Sequence, residues 1–279
     1  MITIISHDAG GAEILSSYVK NIKNQYLFCL SGPAIDIFNK KINKLINRNL
    51  NFCLKNCNEV IASTGVTDFE KKGVRKFIEN KKKSTVILDH WCNYKRRFLF
   101  NNKYIFPDEI WVTDNMSYID SKKIFKKTKI KKIKNYYLID LKKKFSPRKN
   151  NNLVFLWTPV LTKKYPNLDR IIFKEFYEKI YLKKFRNINL IIRPHPSEHP
   201  YKYKDLKKKY KKLKISKKKE LLQDLQYSKV TFGFNSMATY ISNKLGVNSY
   251  NIVLKNLQKN IFIKHRFSIK NVELKLNNK

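Results

Sequence analysis

The chain has 279 residues, of which 42% are hydrophobic and 13% aromatic, and its 60 basic and 21 acidic residues give a formal net charge of +39. The length predicts one large or two smaller domains, and the composition excludes a disordered chain. The longest uncharged runs have about a dozen residues, which is too few for a transmembrane helix. The first residues lack the basic and apolar regions of a secretory signal. We therefore expect a folded cytoplasmic protein.

The make-up of the charge argues against nucleic acid as the main partner. Only nine of the 60 basic residues are Arg, whereas nucleic-acid surfaces favour Arg for its bidentate contacts. Abundant Asn and Ile accompany the Lys, as expected from A- and T-rich codons, so much of the charge should lie on solvated faces. The alternative is attraction to an anionic membrane surface or to RNA, for which the Lys-rich stretch 202–219 is the candidate face.

Short apolar runs alternate with small-residue turns and amphipathic stretches along the chain. They predict strands at 2–6, 26–30, 59–62, 85–88, 109–112 and 131–137, then, after a charged linker, at 153–157, 188–192, 212–215, 229–232 and 249–253. The intervening stretches predict helices, including 168–185 and 220–226. This alternation predicts an α/β protein of two Rossmann-like, doubly wound parallel-sheet domains at 1–142 and 153–279, joined by a linker at 143–152. Their ligand should bind in the cleft between them.

The sequence SHDAGGAE stands where the first strand ends and the first helix begins. Gly10 and Gly11 let the backbone approach a ligand and expose amides at a helix N-terminus, which suits an anion. His7 and Asp8 are candidates for a general base in the cleft, and Glu13 is a further cleft candidate. The alternative is a tight turn in which Asp8 or Ser6 is the N-cap of the helix.

The sequence RPHPSEHP follows an apolar strand and begins at Arg193. Its three prolines force an extended, rigid loop that fixes Arg193 and His195 in space. A rigid Arg and His pair suits a diphosphate or a departing nucleotide phosphate, and Ser197 is a further candidate. Because the prolines prevent a helix, His195 and His199 should not converge on a metal ion. The other alternative is a capped surface loop.

The sequence TFGFNSMAT, which begins at Thr231, again ends a strand and opens a helix. Its small and polar residues either cap the helix or bind a phosphate at its positive end, and both can be true. The donor-site candidates in this segment are Gly233, Asn235, Ser236 and Thr239.

Two strand ends in the first half carry the remaining candidates. The sequence DHWCNYKRRF crowds charged and aromatic residues behind one strand, and STG ends another. Both suit the wall of an acceptor or sugar site, and the alternative is a buried histidine held by the preceding aspartate. The candidates for this wall are Thr64, Gly65, Asp89, His90 and Arg97.

With these loops in place, the chain resembles the GT-B glycosyltransferases of bacterial surface-polysaccharide and capsule synthesis. The Arg-Pro-His-Pro loop, followed about 40 residues later by a Gly-x-Asn-Ser helix start, is similar to motifs of capsule Kdo transferases, bacterial sialyl- and polysialyltransferases and CDP-glycerol glycerophosphotransferases. The resemblance implies that His195 contacts the donor phosphate and that the helix start at Ser236 binds the same nucleotide. It also implies a base at Asp8 or His7, an acceptor-side N-terminal domain and a donor-binding C-terminal domain.

The chain departs from these families at several positions. The sialyltransferases carry an acidic pair before a glycine, where this chain has Asp8, Ala9 and Gly10. The glycerophosphotransferases have an Asp-rich stretch before their serines, where this chain has Phe234 and Asn235. The acidic signatures of the UDP-sugar 2-epimerases, which share the fold, are missing. The resemblance therefore does not name the donor.

The leading hypothesis is an inverting, metal-independent glycosyltransferase, peripheral at the inner face of the plasma membrane or free in the cytoplasm. It would move a sugar, or a glycerol-phosphate-like group, from a nucleotide-activated donor to a cell-surface polysaccharide or lipid-linked acceptor, without a cofactor. Asp8 is preferred to His7 as the base, while Arg193, His195 and the helix start at Ser236 would stabilise the leaving phosphate. The alternatives are a nucleotide-sugar 2-epimerase or hydrolase, and a basic RNA- or membrane-binding protein with a degenerate site.

Overall fold

The computed structural model describes residues 1–65, 67–91, 93–149, 152–157, 167–195, 198–199, 201–218, 220–234, 236–254 and 269–274. The chain divides into two compact units, Met1–Asp140 and Leu141–Lys279. Each unit is built on one six-stranded sheet in which all neighbouring strands are parallel. Helices connect most successive strands. The prediction of two doubly wound parallel α/β sheets is therefore confirmed.

The first unit alternates strands and helices from its first residues. Its main strands are β1 (Ile2–Ser6), β2 (Tyr26–Leu30), β3 (Glu59–Ala62), β4 (Lys83–Ile87), β7 (Glu109–Val112) and β8 (Lys129–Lys132). A small antiparallel hairpin lies between β4 and β7 in the chain and consists of β5 (Leu99–Phe100) and β6 (Lys103–Tyr104). The helices are α1 (Ala9–Asn21), α2 (Pro33–Asn39), α3 (Leu50–Asn56), α4 (Phe69–Glu79), α5 (Asn115–Ile124) and α6 (Tyr136–Lys144).

The central strands of this unit are apolar on both faces, because helices cover the sheet on both sides. Ile4 and Ile61 belong to one core, whereas Ile5, Val60 and Ala62 belong to the other. Successive side chains of a strand point to opposite faces, and none of these five is more than 1% exposed. A parallel strand buried on both faces reads as a continuous apolar run, which is why these strands were recognisable in the sequence.

The second unit repeats this plan around a core rich in aromatic side chains. Its strands are β9 (Asn152–Leu156), β10 (Asn189–Arg193), β11 (Leu213–Ile215), β12 (Ser228–Gly233), β13 (Asn248–Leu254) and β14 (Lys270–Leu274). Its helices are α7 (Leu168–Phe176), α8 (Lys204–Lys209), α9 (Leu221–Leu225) and α10 (Met237–Lys244), and a π-helical stretch, Tyr177–Phe185, continues α7. No helix in the described ranges has the length and apolar character needed to cross a bilayer.

Several details differ from the sequence expectations, including the β5–β6 hairpin, which was not expected. The strand expected at 131–137 ends at Lys132, and α6 begins at Tyr136 because the Asn135 side chain accepts the Leu138 N–H at 2.9 Å as an N-cap. The first residues of the expected linker, 143 and 144, are the end of α6. Strand β14, which the sequence analysis missed, pairs with the edge of the sheet at β13.

Strand order places a switch point in each sheet. The first sheet runs β2-β1-β3-β4-β7-β8 and the second runs β11-β10-β9-β12-β13-β14. In the first sheet the chain passes from β1 to β2 on one side and then continues with β3 on the other side of β1. In the second sheet it passes from β9 to β10 and β11 on one side and then continues with β12 on the other side of β9. Ligands of open parallel sheets bind outside the carboxyl ends of the strands at such points. The loops after β1 and β3, and after β9 and β12, are therefore the places to look for a site.

Close packing at the first switch point explains one of the two adjacent glycines. A Cβ atom at Gly11 would lie 2.6 Å from the Ser63 Cβ and 3.0 Å from the Thr64 carbonyl oxygen. We expect Gly11→Ala to lower the free energy of unfolding by about 1–3 kcal/mol, measured by urea denaturation. The control is Gly73→Ala on α4, where the added Cβ would meet only the Ile5 side chain, whose end can move. Equal losses in both variants would contradict this account.

Candidate functional site

The loops after β1 and β3 bring a histidine and two carboxylates together at the first switch point. His7 Nδ1 lies 2.6 Å from Asp8 Oδ1. The Glu70 carboxylate accepts the backbone N–H of His7 at 2.9 Å and the Ser63 hydroxyl at 3.2 Å. A Cβ atom at Gly65 would lie 2.9 Å from both Asp8 Oδ2 and Glu70 Oε1, so both carboxylates border this glycine.

Asp8 fixes the orientation of the His7 ring. An ionised carboxylate can only accept, so Nδ1 carries the hydrogen and, in the neutral ring, Nε2 keeps its lone pair. Nε2 faces Gly32, where an added Cβ would lie 2.7 Å away. Gly32 has a φ of +52°, a conformation that favours glycine. The His7 and Asp8 side chains are 25% and 27% exposed, so the pair is oriented and remains partly accessible to a ligand.

Glu70 is a site residue that the sequence analysis missed. It lies in the first turn of α4 and is only 2% exposed. Burial raises the pKa of its carboxyl, and the nearby negative charge of Asp8 raises it further. The hydrogen bonds that the carboxylate accepts from backbone N–H groups lower this pKa. The available signal was its spacing from Val74 and Phe77, which puts a carboxyl on the apolar stripe of the helix.

An ion pair forms a second wall of this site. Arg97 Nη1 lies 2.6 Å from Asp89 Oδ1 and donates to the Thr64 hydroxyl at 2.9 Å, and that hydroxyl donates to Asp89 Oδ1 at 2.7 Å. The other Asp89 oxygen is 2.9 Å from the place that a Gly10 Cβ would occupy. The Asp89 carboxylate therefore packs against the first turn of α1, where the helix dipole favours negative charge.

The structure joins Thr64, Gly65, Asp89 and Arg97 but gives two other candidates different partners. Glu13 forms an ion pair with Lys41, whose ammonium also donates to the Ser17 hydroxyl at 3.0 Å. His90 Nδ1 accepts the backbone N–H of Trp91 at 3.0 Å. A cavity beside the Asp89 ion pair is lined by polar and apolar side chains, among them Thr64, Glu70, Arg97, Val86, Phe98 and Ile105.

In the second unit a buried Glu198 carboxylate holds the loop after β10. Glu198 Oε2 accepts the backbone N–H of His195 at 3.1 Å, and the Tyr203 hydroxyl lies 2.9 Å from both carboxylate oxygens. The Lys202 ammonium is 2.8 Å from Oε1. Burial, followed by the negative charge of Glu198, raises the pKa of the Tyr203 hydroxyl, so it stays protonated and donates. The His195 main chain is thus fixed by a carboxylate that the sequence analysis did not select.

Arg193 is part of a buried ion pair. Its Nη1 pairs with the Asp224 carboxylate and donates to the Lys218 carbonyl oxygen at 3.1 Å. Asp224 also accepts the Ser216 hydroxyl at 2.7 Å. The Arg193 and Asp224 side chains are 12% and 6% exposed. The pair therefore connects the end of β10 to α9. Asp224 neutralises the Arg193 charge, which the sequence analysis had expected to bind a phosphate.

The first turn of α10 packs directly on the end of β12. The Ser236 hydroxyl accepts the Ala238 N–H at 3.2 Å, so Ser236 is the N-cap. A Cβ at Gly233 would lie 1.8 Å from Thr239 Oγ1, so this packing requires a glycine. Thr239 is fully buried, and its hydroxyl makes no hydrogen bond to any described residue. The Ser197 and Asn235 candidates lie outside the described residues.

Within the described ranges, no group of three or more His, Cys, Asp and Glu side chains is arranged to hold a metal ion.

Comparisons with known proteins show the fold. No family model matches the chain, and no curated protein matches its sequence. A proposed UDP-N-acetylglucosamine 2-epimerase from Listeria monocytogenes is 11% identical with a TM-score of 0.60, over 89% of this chain and 78% of that one. The S. aureus MnaA–UDP structure is 10% identical with a TM-score of 0.60, over 91% and 79%. The glycotransferase of kitacinnamycin is 9% identical with a TM-score of 0.50, over 91% and 80%. The GT-B-like fold class expected from the sequence is thus confirmed.

Glu70 should make stability depend on pH in a defined direction. Because the folded-state pKa of its carboxyl is raised above the ordinary value of 4.5, the folded protein binds this proton more tightly than the unfolded chain does. The stability that Glu70 contributes is present below about pH 4.5 and is lost as pH rises through the folded-state pKa. Glutamine imitates the protonated carboxyl. We therefore expect Glu70→Gln and the wild type to have the same free energy of unfolding at low pH.

Above that range Glu70→Gln should become the more stable protein, by a margin that grows until Glu70 is fully ionised. The measurement is the free energy of unfolding from denaturant titrations at a series of pH values. Glu79→Gln, on an exposed position of the same helix, is the matched control for losing one carboxylate. A margin between Glu70→Gln and the wild type that does not change with pH would contradict the argument.

Proposed function

We propose that the chain is a nucleotide-sugar-dependent glycosyltransferase in which His7 and Asp8 remove the proton of the acceptor. The observation that carries this proposal is the 2.6 Å contact between His7 Nδ1 and Asp8 Oδ1 at the end of β1. It lies at the switch point of a parallel sheet, where such folds bind ligands. An imidazole oriented by a carboxylate is a common general base, because the carboxylate also stabilises the imidazolium that forms.

The proposed reaction is a single displacement with inversion. The acceptor hydroxyl oxygen attacks the anomeric carbon while its proton passes to His7 Nε2, and the bond from that carbon to the nucleotide phosphate oxygen breaks. Asp8 stays ionised and holds the imidazolium. The sequence favoured Asp8 as the base, but the hydrogen bond to Nδ1 supports His7 in that role with Asp8 as its partner. The wall formed by Thr64, Asp89 and Arg97 would bind the acceptor through its hydroxyl groups.

We propose that the second unit binds the donor through its phosphates. The start of α10 supports this, because a helix N-terminus favours a phosphate and Thr239, in the first turn, has a buried hydroxyl that no described residue satisfies. The His195 loop, fixed by Glu198, would supply an imidazole to the same phosphates. Arg193 would act mainly by positioning that loop through its pair with Asp224. We further propose that these groups stabilise the leaving phosphate without a metal ion, so that chelators leave the rate unchanged.

The second candidate is a nucleotide-sugar 2-epimerase or hydrolase. The two structures with TM-scores of 0.60 are a proposed UDP-N-acetylglucosamine 2-epimerase and a UDP complex, which favours this candidate. An epimerase or hydrolase consumes its donor without any acceptor, whereas the transferase needs a hydroxyl acceptor. Donor turnover that is complete without added glycan or lipid-linked acceptor would therefore replace the transferase proposal with this one.

The base is identified by chemical rescue. We expect His7→Ala to lower kcat by about 10²- to 10⁴-fold, and added imidazole to restore part of the rate. Asp8→Ala should lower kcat through loss of ring orientation, and formate should not restore it fully. Rescue of Asp8→Ala by formate, together with a small effect of His7→Ala, would instead make Asp8 the base. The control is Glu13→Gln, which alters a nearby carboxylate that is paired with Lys41.

The donor site is tested by nucleotide-induced thermal shifts with CMP, CDP, UDP and GDP. A ligand at 100 times its Kd adds about 2.7 kcal/mol to the free energy of unfolding, so one nucleotide should raise the Tm of the wild type. His195→Ala should lose most of that shift. His199→Ala is the matched control, because it removes an exposed imidazole from the same loop. Equal, small shifts with every nucleotide in all three proteins would mean that only the overall charge binds anions.

A further inference from the structure

The segment 95–106, here called the 95–106 hairpin, exposes aromatic and basic side chains together. Tyr104 and Phe106 are 54% and 40% exposed, and their rings stack with centroids 5.9 Å apart and planes 6° apart. Lys95, Arg96 and Lys103 are also exposed. The sequence has no acidic residue between Asp89 and Asp108, so no carboxylate of its own neutralises the hairpin.

The core of the first unit anchors the hairpin. Asn101 and Asn102 form its tip with φ values of +47° and +57°, the left-handed pair that a tight two-residue hairpin turn requires. Phe98 is 4% exposed and packs edge-on against Phe125 with ring centroids 5.3 Å apart. Phe106 in turn lies 5.7 Å from the Phe98 ring. The exposed rings are therefore held in place by the core of the first unit.

We propose that the 95–106 hairpin docks the first unit onto a membrane surface rich in anionic lipid. Aromatic rings with one apolar body and a polar tip favour the headgroup region of a bilayer. Exposed Lys and Arg beside them are attracted to anionic lipid. The hairpin combines both features on one element, and the chain's net charge of +39 adds long-range attraction.

The Lys-rich stretch 202–219 fits this role less well. Its apolar side chains Tyr203, Leu206, Tyr210 and Leu213 are all buried in the core of the second unit. Lys202 is paired with carboxylates, at 2.8 Å from Glu198 and 3.1 Å from Asp169. That stretch therefore offers mainly charge to a membrane, whereas the hairpin offers charge and apolar surface.

Single-stranded RNA is the other ligand that basic and aromatic side chains attract. A base needs an open aromatic face on which to stack. One face of Phe106 is already covered by Tyr104, and Phe125 lies edge-on to the Phe106 ring with centroids 5.6 Å apart. The Phe106 ring is thus already packed against two others and offers a base little open face, so the observations favour lipid.

The test is co-sedimentation with vesicles of phosphatidylcholine alone or mixed equally with phosphatidylglycerol, without any sugar nucleotide. We expect the wild type to bind the mixed vesicles. Lys95→Ser/Arg96→Ser should weaken that binding by roughly fivefold for each residue removed. Lys207→Ser/Lys208→Ser removes the same charge from exposed positions of α8 and should weaken it much less. Equal weakening by both pairs would show that only net charge acts, and would overturn the proposal.

A second measurement follows the apolar side chain. The native tryptophans Trp91, Trp111 and Trp157 are at most 8% exposed, so an added tryptophan at the hairpin dominates any change on binding. Fluorescence of a Tyr104→Trp variant should shift to the blue with mixed vesicles, and Tyr104→Ser should lose the binding that survives high salt. The control is Tyr201→Ser, at an aromatic residue that is 62% exposed. No blue shift would overturn the proposal.

An RNA arm completes the test. If a single-stranded RNA oligonucleotide binds the wild type but not Lys95→Ser/Arg96→Ser, while vesicle binding is the same in both, the hairpin is an RNA surface and the proposal fails. The inference does not rest on the proposed reaction, because vesicle binding needs neither donor nor acceptor. A protein that binds vesicles but turns over no sugar nucleotide would keep this inference and remove the proposed function.

Discussion

A buried glutamate that accepts the backbone N–H of a histidine organises each unit. Glu70 holds His7 after β1, and Glu198 holds His195 after β10. A carboxylate loses hydration energy on burial and is tolerated only when donors satisfy it. These two carboxylates therefore fix the loops around them, because moving either loop would leave a buried charge without its donor. The geometry of both histidine loops depends on this constraint.

The local electrostatics of the two units differ from what the net charge of +39 suggests. At the first switch point Asp8, Glu70 and Asp89 surround the loop, with Arg97 paired to Asp89. Carboxylates accept hydrogen bonds from the hydroxyl groups of a sugar but repel an anion. Such a site therefore suits a sugar better than an anion. In the second unit Asp224 already balances Arg193. Attraction of an anionic donor would then depend on helix N-termini and on the field of the surface lysines.

Sequence patterns predicted the sheets well, because a parallel strand buried on both faces is a continuous apolar run. They also placed candidates at strand ends, and the topology brings those after β1 and β3 together at the first switch point. The partner that gives Glu70 and Glu198 their role is a backbone N–H, which has no sequence signature, and only the place of Glu70 on the apolar stripe of α4 could have indicated it. The Glu70 contact spans 63 positions and the Arg193 contact with Asp224 spans 31, so no local periodicity reports them. Strand β14 lies at the edge of its sheet. Its sequence, KNVEL, has too few apolar residues to be recognised as a strand.

The 95–106 hairpin contributes Arg97 to the first site. The turn Lys95–Phe98 directs Lys95 and Arg96 to solvent, whereas Arg97 pairs with Asp89 inside the site and Phe98 enters the core. A surface that engaged the two exposed cations would therefore lie beside the ion pair of the proposed acceptor wall. An acceptor carried by a lipid would meet that wall without diffusing through solution, and would be bound in two places at once, by its membrane anchor and by its sugar. Such linkage raises the effective concentration of the sugar at the site. A wall with few polar groups would then be enough to bind the sugar. If both proposals hold, docking by the hairpin would therefore favour a lipid-linked acceptor over a soluble polysaccharide.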